Sequence, residues 1–248
     1  MGRVAAVFHP PDETRLLWGQ FNRVALPRID FVRSIEHNSA MATQDLARRI
    51  MLAALDRFGR YGFDGASTRD IARASGTAMS SITYHFGGKE GLYLACADFV
   101  AAQIAAVHEP LHQRVLEAPP RDAEEARAAL LALLENFARF MLSPDSEPLA
   151  RFIVREQQDP TEAFERIYER VMAPVLATAF RLVGMVRPSL DEDGKRVLVM
   201  SAIGMALFLR VARACVMRVM GVEAIDAPAA ERLVTGLRRS ALSLLSEA

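Results

Sequence analysis

From Thr43 to its last residue the chain is a succession of helix-forming segments separated by helix breakers. Ala, Leu, Arg, Glu and Met are abundant in these segments, and the sequence lacks the alternation of polar and apolar residues that marks strands. The breakers recur at intervals that suit helices of ordinary length. They fall at Ser75-Gly76, Pro119-Pro120, Ser143-Pro144, Asp159-Pro160, Arg187-Pro188 and Ala227-Pro228. The sequence therefore predicts an all-α fold.

The first predicted helix runs from Thr43 to about Gly62. Leu46, Ile50 and Phe58 fall on one stripe of this helix, which indicates that one of its faces packs against a core. Gly is a residue type at which helices commonly end, so Gly62 marks the expected stop.

Residues 1–40 have a different character, with several prolines and no sustained 3.6-residue period. We interpret them as a loosely ordered N-terminal extension. Two origins remain open for it. The extension is a functional arm, or the translation start is mis-assigned and Met41 is the first residue.

Several features favour a cytoplasmic protein that binds no membrane. No secretory signal can be read at the N-terminus, where prolines follow within the first eleven residues. The longest apolar run, from Val197 to Leu209, is thirteen residues and falls short of the ~20 that cross a bilayer. Cys96 and Cys215 are too few for a disulfide framework or a four-ligand zinc site. We expect no metal and no cofactor.

Residues 67–86 are predicted to hold two short helices rather than one long helix. Ser67 or Thr68 can cap the first of them, which runs to about Ala74. The pair Ser75-Gly76 then makes a tight break before the second helix begins. This spacing is typical of a helix-turn-helix, and spacing alone leaves DNA binding and a purely structural role equally open.

The residues in and around this turn resemble the DNA-binding domain of the TetR family of bacterial repressors. The resemblance covers roughly Thr43 to Cys96. It is carried by Thr68-Arg69-Asp70-Ile71-Ala72, by Ser75-Gly76, and by Ser81-Ile82-Thr83-Tyr84-His85-Phe86-Gly87-Gly88-Lys89-Glu90-Gly91-Leu92-Tyr93. The resemblance implies a three-helix, helix-turn-helix DNA-binding domain at residues 41–96. It also implies a larger helical domain for ligand binding and dimerisation at residues 97–248.

A downstream segment resembles the C-terminal domain of the CecR-like branch of that family. The residues that carry this second resemblance are Ala150-Arg151-Phe152-Ile153-Val154-Arg155-Glu156-Gln157-Gln158-Asp159-Pro160-Thr161, followed by Tyr168-Glu169-Arg170-Val171. The rest of the chain matches the family only in being helical.

The predicted recognition helix begins with small and polar residues that can reach base edges and ends near groups that can hold phosphate. The Lys89 ammonium and the amides at the start of the following helix can hold a phosphate together. The resemblance implies that Thr68 and Arg69 also touch the DNA backbone or a groove edge. The predicted DNA-binding residues are Thr68, Arg69, Met79, Ser80, Ser81, Thr83, Tyr84, His85 and Lys89.

Two features of the recognition helix depart from the family pattern. Ala78 and Met79 stand where a polar or basic residue is usual, and Thr83 stands where an aromatic residue is common. Ala and Met offer apolar contacts, for example to thymine methyl groups, rather than paired hydrogen bonds to bases. The operator sequence therefore does not follow from this helix.

The distribution of charge agrees mildly with DNA binding. Residues 41–96 hold seven basic and five acidic residues, a net charge of +2. Residues 97–248 hold 18 basic and 21 acidic residues, a net charge of −3. The asymmetry has the sign expected when the N-terminal domain meets phosphate.

Two apolar segments near the C-terminus are predicted to form a homodimer interface. The candidates are Val197, Met200, Gly204, Leu207, Phe208, Leu233, Leu237 and Leu244. Pairing the two helices with their symmetry mates makes a four-helix bundle that presents two recognition helices to half-sites about one DNA turn apart. Burial of these helices within one subunit remains the alternative.

An effector site is predicted where aromatic and methionine side chains recur, with arginines to orient the ligand. The candidate lining residues are Phe137, Phe140, Met141, Arg151, Phe152, Arg155, Phe164, Tyr168 and Met172. Ordinary core packing is the alternative interpretation of the same stripe.

No catalytic constellation is apparent in the order of residues. His108 and His112 are four residues apart and could share a metal, but Pro110 lies between them and a solvated helix surface is the favoured interpretation. We therefore predict a ligand-responsive repressor that binds a palindromic operator as a homodimer and is released by a small-molecule effector. The rival classes are an effector-independent DNA-binding protein and a helical enzyme that carries the same N-terminal domain.

Overall fold

The computed structural model of the protein describes residues 36–144 and 146–246. Eleven α-helices and one π-helical turn occupy this part of the chain, which contains no strand. The helices are α1 (Glu36–Gly65), α2 (Thr68–Ser75), α3 (Met79–Phe86), α4 (Lys89–Glu117), α5 (Ala123–Leu142), α6 (Ser146–Gln158), α7 (Glu162–Ile167), α8 (Ala173–Val186), α9 (Glu192–Val211), α10 (Arg213–Met220) and α11 (Ala227–Leu245). The predicted all-α fold class is confirmed.

The described chain divides into two compact units. The first unit comprises residues 36–104 and 147–172, and the second comprises residues 105–146 and 173–246. This division differs from the predicted domains at residues 41–96 and 97–248, because residues 147–172 pack with the N-terminal helices. Helix α4 contributes to both units.

Helix α1 begins at Glu36, before the predicted start at Thr43. Residues 36–40 of the predicted loosely ordered extension are thus helical, and Met41 lies inside the helix. Residues 1–35 lie outside the described residues. Near its other end α1 loses helical geometry at Gly62, whose φ of 74° and ψ of 179° suit glycine, as the sequence indicates.

Helices α2 and α3 form the predicted helix-turn-helix, and α2 packs against α1. Ser67 caps α2 by accepting a hydrogen bond from the Asp70 amide at 3.4 Å. Gly76 ends α2 in the left-handed conformation, with φ of 66°. Apolar side chains from α1, α2, α3 and α4 form the core, with Ile50, Ala54, Phe58, Ile71, Ile82 and Leu92 fully or almost fully buried.

Helix α5 lies at the centre of the second unit and packs against α8, α9 and α11. Aspartates cap three of these helices: Asp122, Asp191 and Asp226 accept hydrogen bonds from amides at the starts of α5, α9 and α11. Ion pairs Arg139–Glu231 and Arg238–Glu135 join α5 to α11 at the surface. The position of the helices around α5 is set chiefly by two apolar clusters that contain Leu131, Leu133, Leu182, Ala206, Leu209 and Leu237.

Two prolines occupy different positions within the helices. Helix α4 runs from Lys89 to Glu117 with Pro110 inside it. Pro174 lies in the first turn of α8, directly after the π-helical turn Tyr168–Met172 that separates α7 from α8. The missing amide of Pro174 therefore falls where the helix is already interrupted.

Two apolar segments among the described helices reach the length of a membrane span. Helix α4 has the length and composition, and half of its apolar window is buried inside the protein, as in the core helix of a globular domain. Helices α9 and α10 meet the requirements of length and apolar composition only when taken together, and they are bent by 82° at the break between them.

Candidate nucleic-acid interface

Helix α3 presents one face to solvent and buries the other. Ile82 is 1% exposed and anchors the helix to the core, whereas Met79 is 52% and Tyr84 80% exposed. Ser80 and Thr83 are exposed on the same side as these two residues. Ala78, at the N-cap, makes no side-chain hydrogen bond to the helix, and the first turn contains no acidic residue. The outward face of α3 is thus a convex surface of small, polar and apolar side chains with no negative charge.

The connection between α3 and α4 requires glycine at two positions. Gly87 ends α3 in the left-handed conformation, with φ of 75°, and its amide donates to the Thr83 carbonyl at 2.9 Å. A Cβ atom on Gly91 would lie 1.8 Å from the Phe86 carbonyl oxygen. Only glycine at position 91 lets the end of α3 approach the first turn of α4 so closely.

Some hydroxyl and guanidinium groups near α3 have partners within the protein, and others do not. The Thr77 hydroxyl donates to the Ser81 hydroxyl at 2.9 Å, so Ser81 is held within the turn. Arg73 pairs with Asp70 at 2.6 Å. Arg69 is exposed, and no side-chain hydrogen bond or ion pair joins it to another described residue. The Arg69 guanidinium is therefore available to an external anion.

Lys89 and His85 make contacts that the sequence did not indicate. The Lys89 ammonium donates to the Asp64 carbonyl at 3.3 Å and lies 4.7 Å from the centre of the Phe63 ring. This lysine thus ties the start of α4 to the end of α1. His85 is half-buried, with its ring 5.0 Å from that of Tyr84 in an edge-to-face arrangement. A phosphate contact by either residue stays a prediction, as does one by the half-buried Thr68.

A buried aromatic cluster supports the helix-turn-helix from behind. The Tyr93 ring lies edge-on to Phe58 at 4.8 Å and to Phe63 at 5.2 Å, and 5.0 Å from Phe152 of α6. The Tyr93 hydroxyl donates to the carboxylate of Glu156, which is 1% exposed. Burial, together with this hydrogen bond to a carboxylate, raises the pKa of Tyr93 well above its usual value.

Both carboxylate oxygens of Glu156 accept hydrogen bonds from residues of the first unit. Its second oxygen accepts from the Thr161 amide at 3.2 Å and from the Thr161 hydroxyl at 2.8 Å. Sequence reasoning missed the role of this residue. The signal lay in the segment from Phe152 to Thr161, where a carboxylate follows an apolar run and precedes the sequence Asp159-Pro160-Thr161.

The two arginines predicted to orient a ligand contact α1 within the first unit. Arg151 pairs with Asp56 at 3.5 Å and with Glu147. Arg155 lies beside Gly62, where a Cβ atom would come within 2.7 Å of its Nη1 atom. Arg151 therefore links α6 to α1 by an ion pair, and Arg155 packs against α1 at Gly62.

The nine predicted ligand-binding residues do not belong to one compact unit. Phe137, Phe140 and Met141 lie in the second unit, and Arg151, Phe152, Arg155, Phe164, Tyr168 and Met172 lie in the first. Phe140, Met141 and Phe152 are buried, the Phe164 and Tyr168 rings stack at 5.9 Å, and Tyr168 is 38% exposed. Phe152 is a core residue of the first unit. Ordinary core packing was the alternative interpretation of these aromatic and methionine residues.

His108 is buried rather than solvated, so the interpretation of this histidine as helix surface was wrong. Its Nδ1 atom lies 3.1 Å from Nδ2 of Asn136, which also donates to the Val107 carbonyl at 3.1 Å. The Phe137 and Phe140 rings lie 5.7 and 5.9 Å from the imidazole. Burial lowers the pKa of His108 to about 4, which keeps the imidazole neutral at physiological pH.

His112 has a partner of its own, with a ring nitrogen 2.8 Å from the Thr178 hydroxyl. Among the residues that the structure describes, no group of three or more His, Cys, Asp or Glu side chains is placed to hold a metal ion. The two histidines thus take part in separate polar contacts of the second unit.

The predicted dimer residues differ in exposure. Val197 is 65%, Met200 49%, Phe208 54% and Leu244 39% exposed, and Gly204 is exposed too. Leu207 and Leu233 are half-buried. Leu237 is 7% exposed and belongs to the core of its own chain, so it can offer little to a partner. Val211 was not predicted, yet it extends the exposed stripe of α9 and is 61% exposed.

Two family descriptions match the chain. Residues 50–96 match "Bacterial regulatory proteins, tetR family", and residues 126–247 match the C-terminal domain of the "HTH-type transcriptional dual regulator CecR". The first match spans the helix-turn-helix, and the second spans α6 to α11 and most of α5.

Curated relatives extend the similarity over most of the chain. The dual regulator CecR of Shigella flexneri is 32% identical over 196 residues, which cover 77% of this chain and 87% of that protein. The transcriptional regulatory protein RaaS of Mycobacterium tuberculosis is 31% identical over 150 residues, or 59% of this chain and 62% of that protein.

Solved structures share the fold at lower identity. A TetR-family regulator from Streptomyces coelicolor has a TM-score of 0.57 at 18% identity, covering 87% of this chain and 96% of that one. The fatty acid degradation regulator FadR from Bacillus halodurans has a TM-score of 0.54 at 17% identity, covering 81% and 98%. These likenesses concern the arrangement of the helices alone.

Proposed function

The chain belongs to the TetR family of DNA-binding transcriptional regulators and carries a CecR-type C-terminal domain, and from this premise we propose that it is a cytoplasmic, ligand-responsive repressor. It binds a palindromic operator as a homodimer, and a small-molecule effector releases it. The observation that carries the proposal is the outward face of α3, where Met79, Ser80, Thr83 and Tyr84 are exposed on a helix anchored by Ile82. Such a helix can enter the major groove.

Arg69 supplies the strongest support for a phosphate contact. It is exposed at the start of α2 and has no partner among the described side chains, whereas Arg73 on the same helix is paired. An unpaired guanidinium keeps its full capacity for bidentate contact with phosphate oxygens.

Dimerisation is supported by the exposed stripe on α9. Val197, Met200, Phe208 and Val211 recur at helical spacing and leave a row of large apolar side chains exposed. Gly204 lies in the same row, and the space beside it is open, so a partner helix can approach closely there. A symmetric pairing of α9 with its mate buries this row.

The effector site is proposed for the second unit, where Phe137, Phe140 and Met141 were predicted to line a pocket. The neutral His108 imidazole lies beside the Phe137 and Phe140 rings and contacts the Asn136 amide. Helix α4, which contributes to both units, is the proposed coupling element. The effector favours a subunit arrangement in which the recognition helices no longer match the half-site spacing.

The first test is a salt-titrated binding assay of the full chain against the intergenic DNA beside its own gene, with a scrambled fragment as control. We expect specific binding by two chains per operator, with affinity that falls steeply as salt rises. The salt slope is the change in log affinity with log salt concentration. Arg69→Ala should reduce it by about one for each half-site, because one phosphate contact is lost there. Arg218→Ala removes an exposed charge from α10, outside the α9 row, and should leave the slope unchanged. Binding no tighter than to the scrambled fragment, there and across genomic fragments, contradicts the proposal.

A further inference from the structure

The face that α3 turns to solvent lacks the side chains that usually read bases through paired hydrogen bonds. Its eight residues, Met79-Ser80-Ser81-Ile82-Thr83-Tyr84-His85-Phe86, include no Arg, Lys, Asn or Gln. Those four residue types make the bidentate contacts to guanine and adenine. Specific reading by this helix must therefore rely on single hydrogen-bonding groups, the hydroxyls and the His85 imidazole, and on apolar contact.

Met79 is the apolar group best placed for such contact. It is the first residue of α3, and the N-terminal residues of a recognition helix reach the base edges. Its side chain is 52% exposed, although large apolar side chains of this unit are mostly buried. The major groove offers one apolar feature to an unbranched thioether side chain, the 5-methyl group of thymine.

The neighbours of Met79 are not equivalent candidates. Ala78 is too short to reach past the backbone, and Ile82 is 1% exposed. The Ser81 hydroxyl is engaged by Thr77 at 2.9 Å. Tyr84 is exposed, but it lies more than one turn further along α3, towards the end that meets the phosphates.

We propose that Met79 is a specificity-determining residue that reads the 5-methyl group of one thymine in each operator half-site. The inference rests on the proposed DNA binding and adds the base and the atom that are read. If Met79 reads DNA in this way, operator affinity falls when a single methyl group is lost at one position of each half-site.

The test uses a duplex selected from a random library by the full-length dimer, with each thymine replaced in turn by uracil. Uracil pairs as thymine does and lacks only the 5-methyl group. At one symmetric position we expect the substitution to weaken binding about fourfold per half-site, the affinity equivalent of one buried methyl group. Met79→Ala should bind more weakly and should no longer distinguish thymine from uracil there.

Two variants control for general effects. Met79→Leu keeps an apolar side chain of similar size and should retain the discrimination, and Ser80→Ala should retain it too. Because residues 79 and 80 are exposed, all three variants should keep the wild-type melting temperature.

The outcomes separate the two proposals. Failure to select any duplex over random sequence overturns the proposed function, and this inference falls with it. Specific binding that is indifferent to uracil at every position overturns the inference and leaves the proposed function standing. Discrimination that survives in Met79→Ala shows that another residue reads the methyl group.

Discussion

At the scale of single residues, the described chain contains buried polar groups whose partners are all internal. Glu156 accepts hydrogen bonds from Tyr93 and Thr161, and the Asn136 amide donates to the His108 imidazole. Leaving a buried polar group without its partner costs more free energy than the hydrogen bond itself contributes to stability. Substitutions at these contacts are therefore expected to change the free energy of unfolding measurably.

Tyr93→Phe should destabilise the protein by about 1 to 3 kcal/mol, because it removes a donor from the buried Glu156 carboxylate without changing packing volume. The free energy of unfolding, measured by urea titration, checks this. Tyr168→Phe is the matched control, since it deletes the hydroxyl of a tyrosine that is 38% exposed. Equal stabilities for the two variants would contradict the role assigned to Glu156.

His108 should make stability depend on pH. Burial lowers its folded-state pKa to about 4 from an ordinary value of 6.5. Between these values the unfolded state binds more protons, so stability should rise with pH from about 4 to 6.5 and then level off. The full effect is of order 3 kcal/mol.

Comparison of wild type with His108→Gln isolates this contribution from that of the carboxylates. The variant lacks the imidazole, so its unfolding free energy should change less between pH 4.5 and pH 7.5. Parallel pH profiles for the two proteins would show that His108 does not titrate as its burial requires.

The sequence could not reveal that His108 is buried. A histidine four residues from another and two from a proline fits a solvated surface equally well. Its burial depends on Asn136, Phe137 and Phe140, which lie on another helix. By contrast the burial of Ile82 follows from a local period, which places this residue opposite the polar residues of its own helix.

At the scale of elements, breakers defined most helix bounds correctly. Helices α5, α9 and α11 begin after capping aspartates, and α2 ends at the predicted glycine break. The packing of residues 147–172 with the N-terminal helices was not predictable. Helical periodicity shows which face of α6 is apolar and not which helix covers that face.

Gly91→Ala tests the joint between α3 and α4. The added Cβ would lie 1.8 Å from the Phe86 carbonyl oxygen, and a backbone atom cannot swing aside as a side chain can. The end of α3 must therefore shift. We expect operator affinity to fall at least about tenfold, since a misplaced recognition helix loses several of its contacts at once.

Gly184→Ala is the control for this change. Its Cβ would lie 3.7 Å from the Lys195 ammonium, an ordinary contact, and alanine favours the helix. It should leave DNA binding intact in the same assay and keep or raise the melting temperature. Wild-type affinity in Gly91→Ala would show that the close approach is not required.

At the scale of the whole molecule, the proposed function requires two chains. One recognition helix of eight residues offers few base contacts, and the outward face of α3 has no bidentate reader. In the proposed mode of binding, two half-sites are bound together, and the second contact gains affinity because it is intramolecular. The exposed row on α9 is a part of the described surface that can supply this pairing.

Phe208→Glu should convert the dimer to a monomer. Phe208 is 54% exposed in the single chain, and at a symmetric interface its replacement would bury two like charges close to each other. The fold of each chain should survive, because the substituted side chain is not part of the core. The loss of the second half-site should weaken operator binding by about 100-fold or more.

Sedimentation velocity, together with the binding assay, checks both halves of this expectation. Val219→Glu places the same charge on α10 at a side chain that is 80% exposed and outside the α9 row, so it should remain dimeric and bind normally. A dimeric Phe208→Glu would place the interface elsewhere. A monomeric Phe208→Glu that keeps wild-type affinity would mean that one chain suffices to recognise the operator, and the palindrome would then have no physical basis.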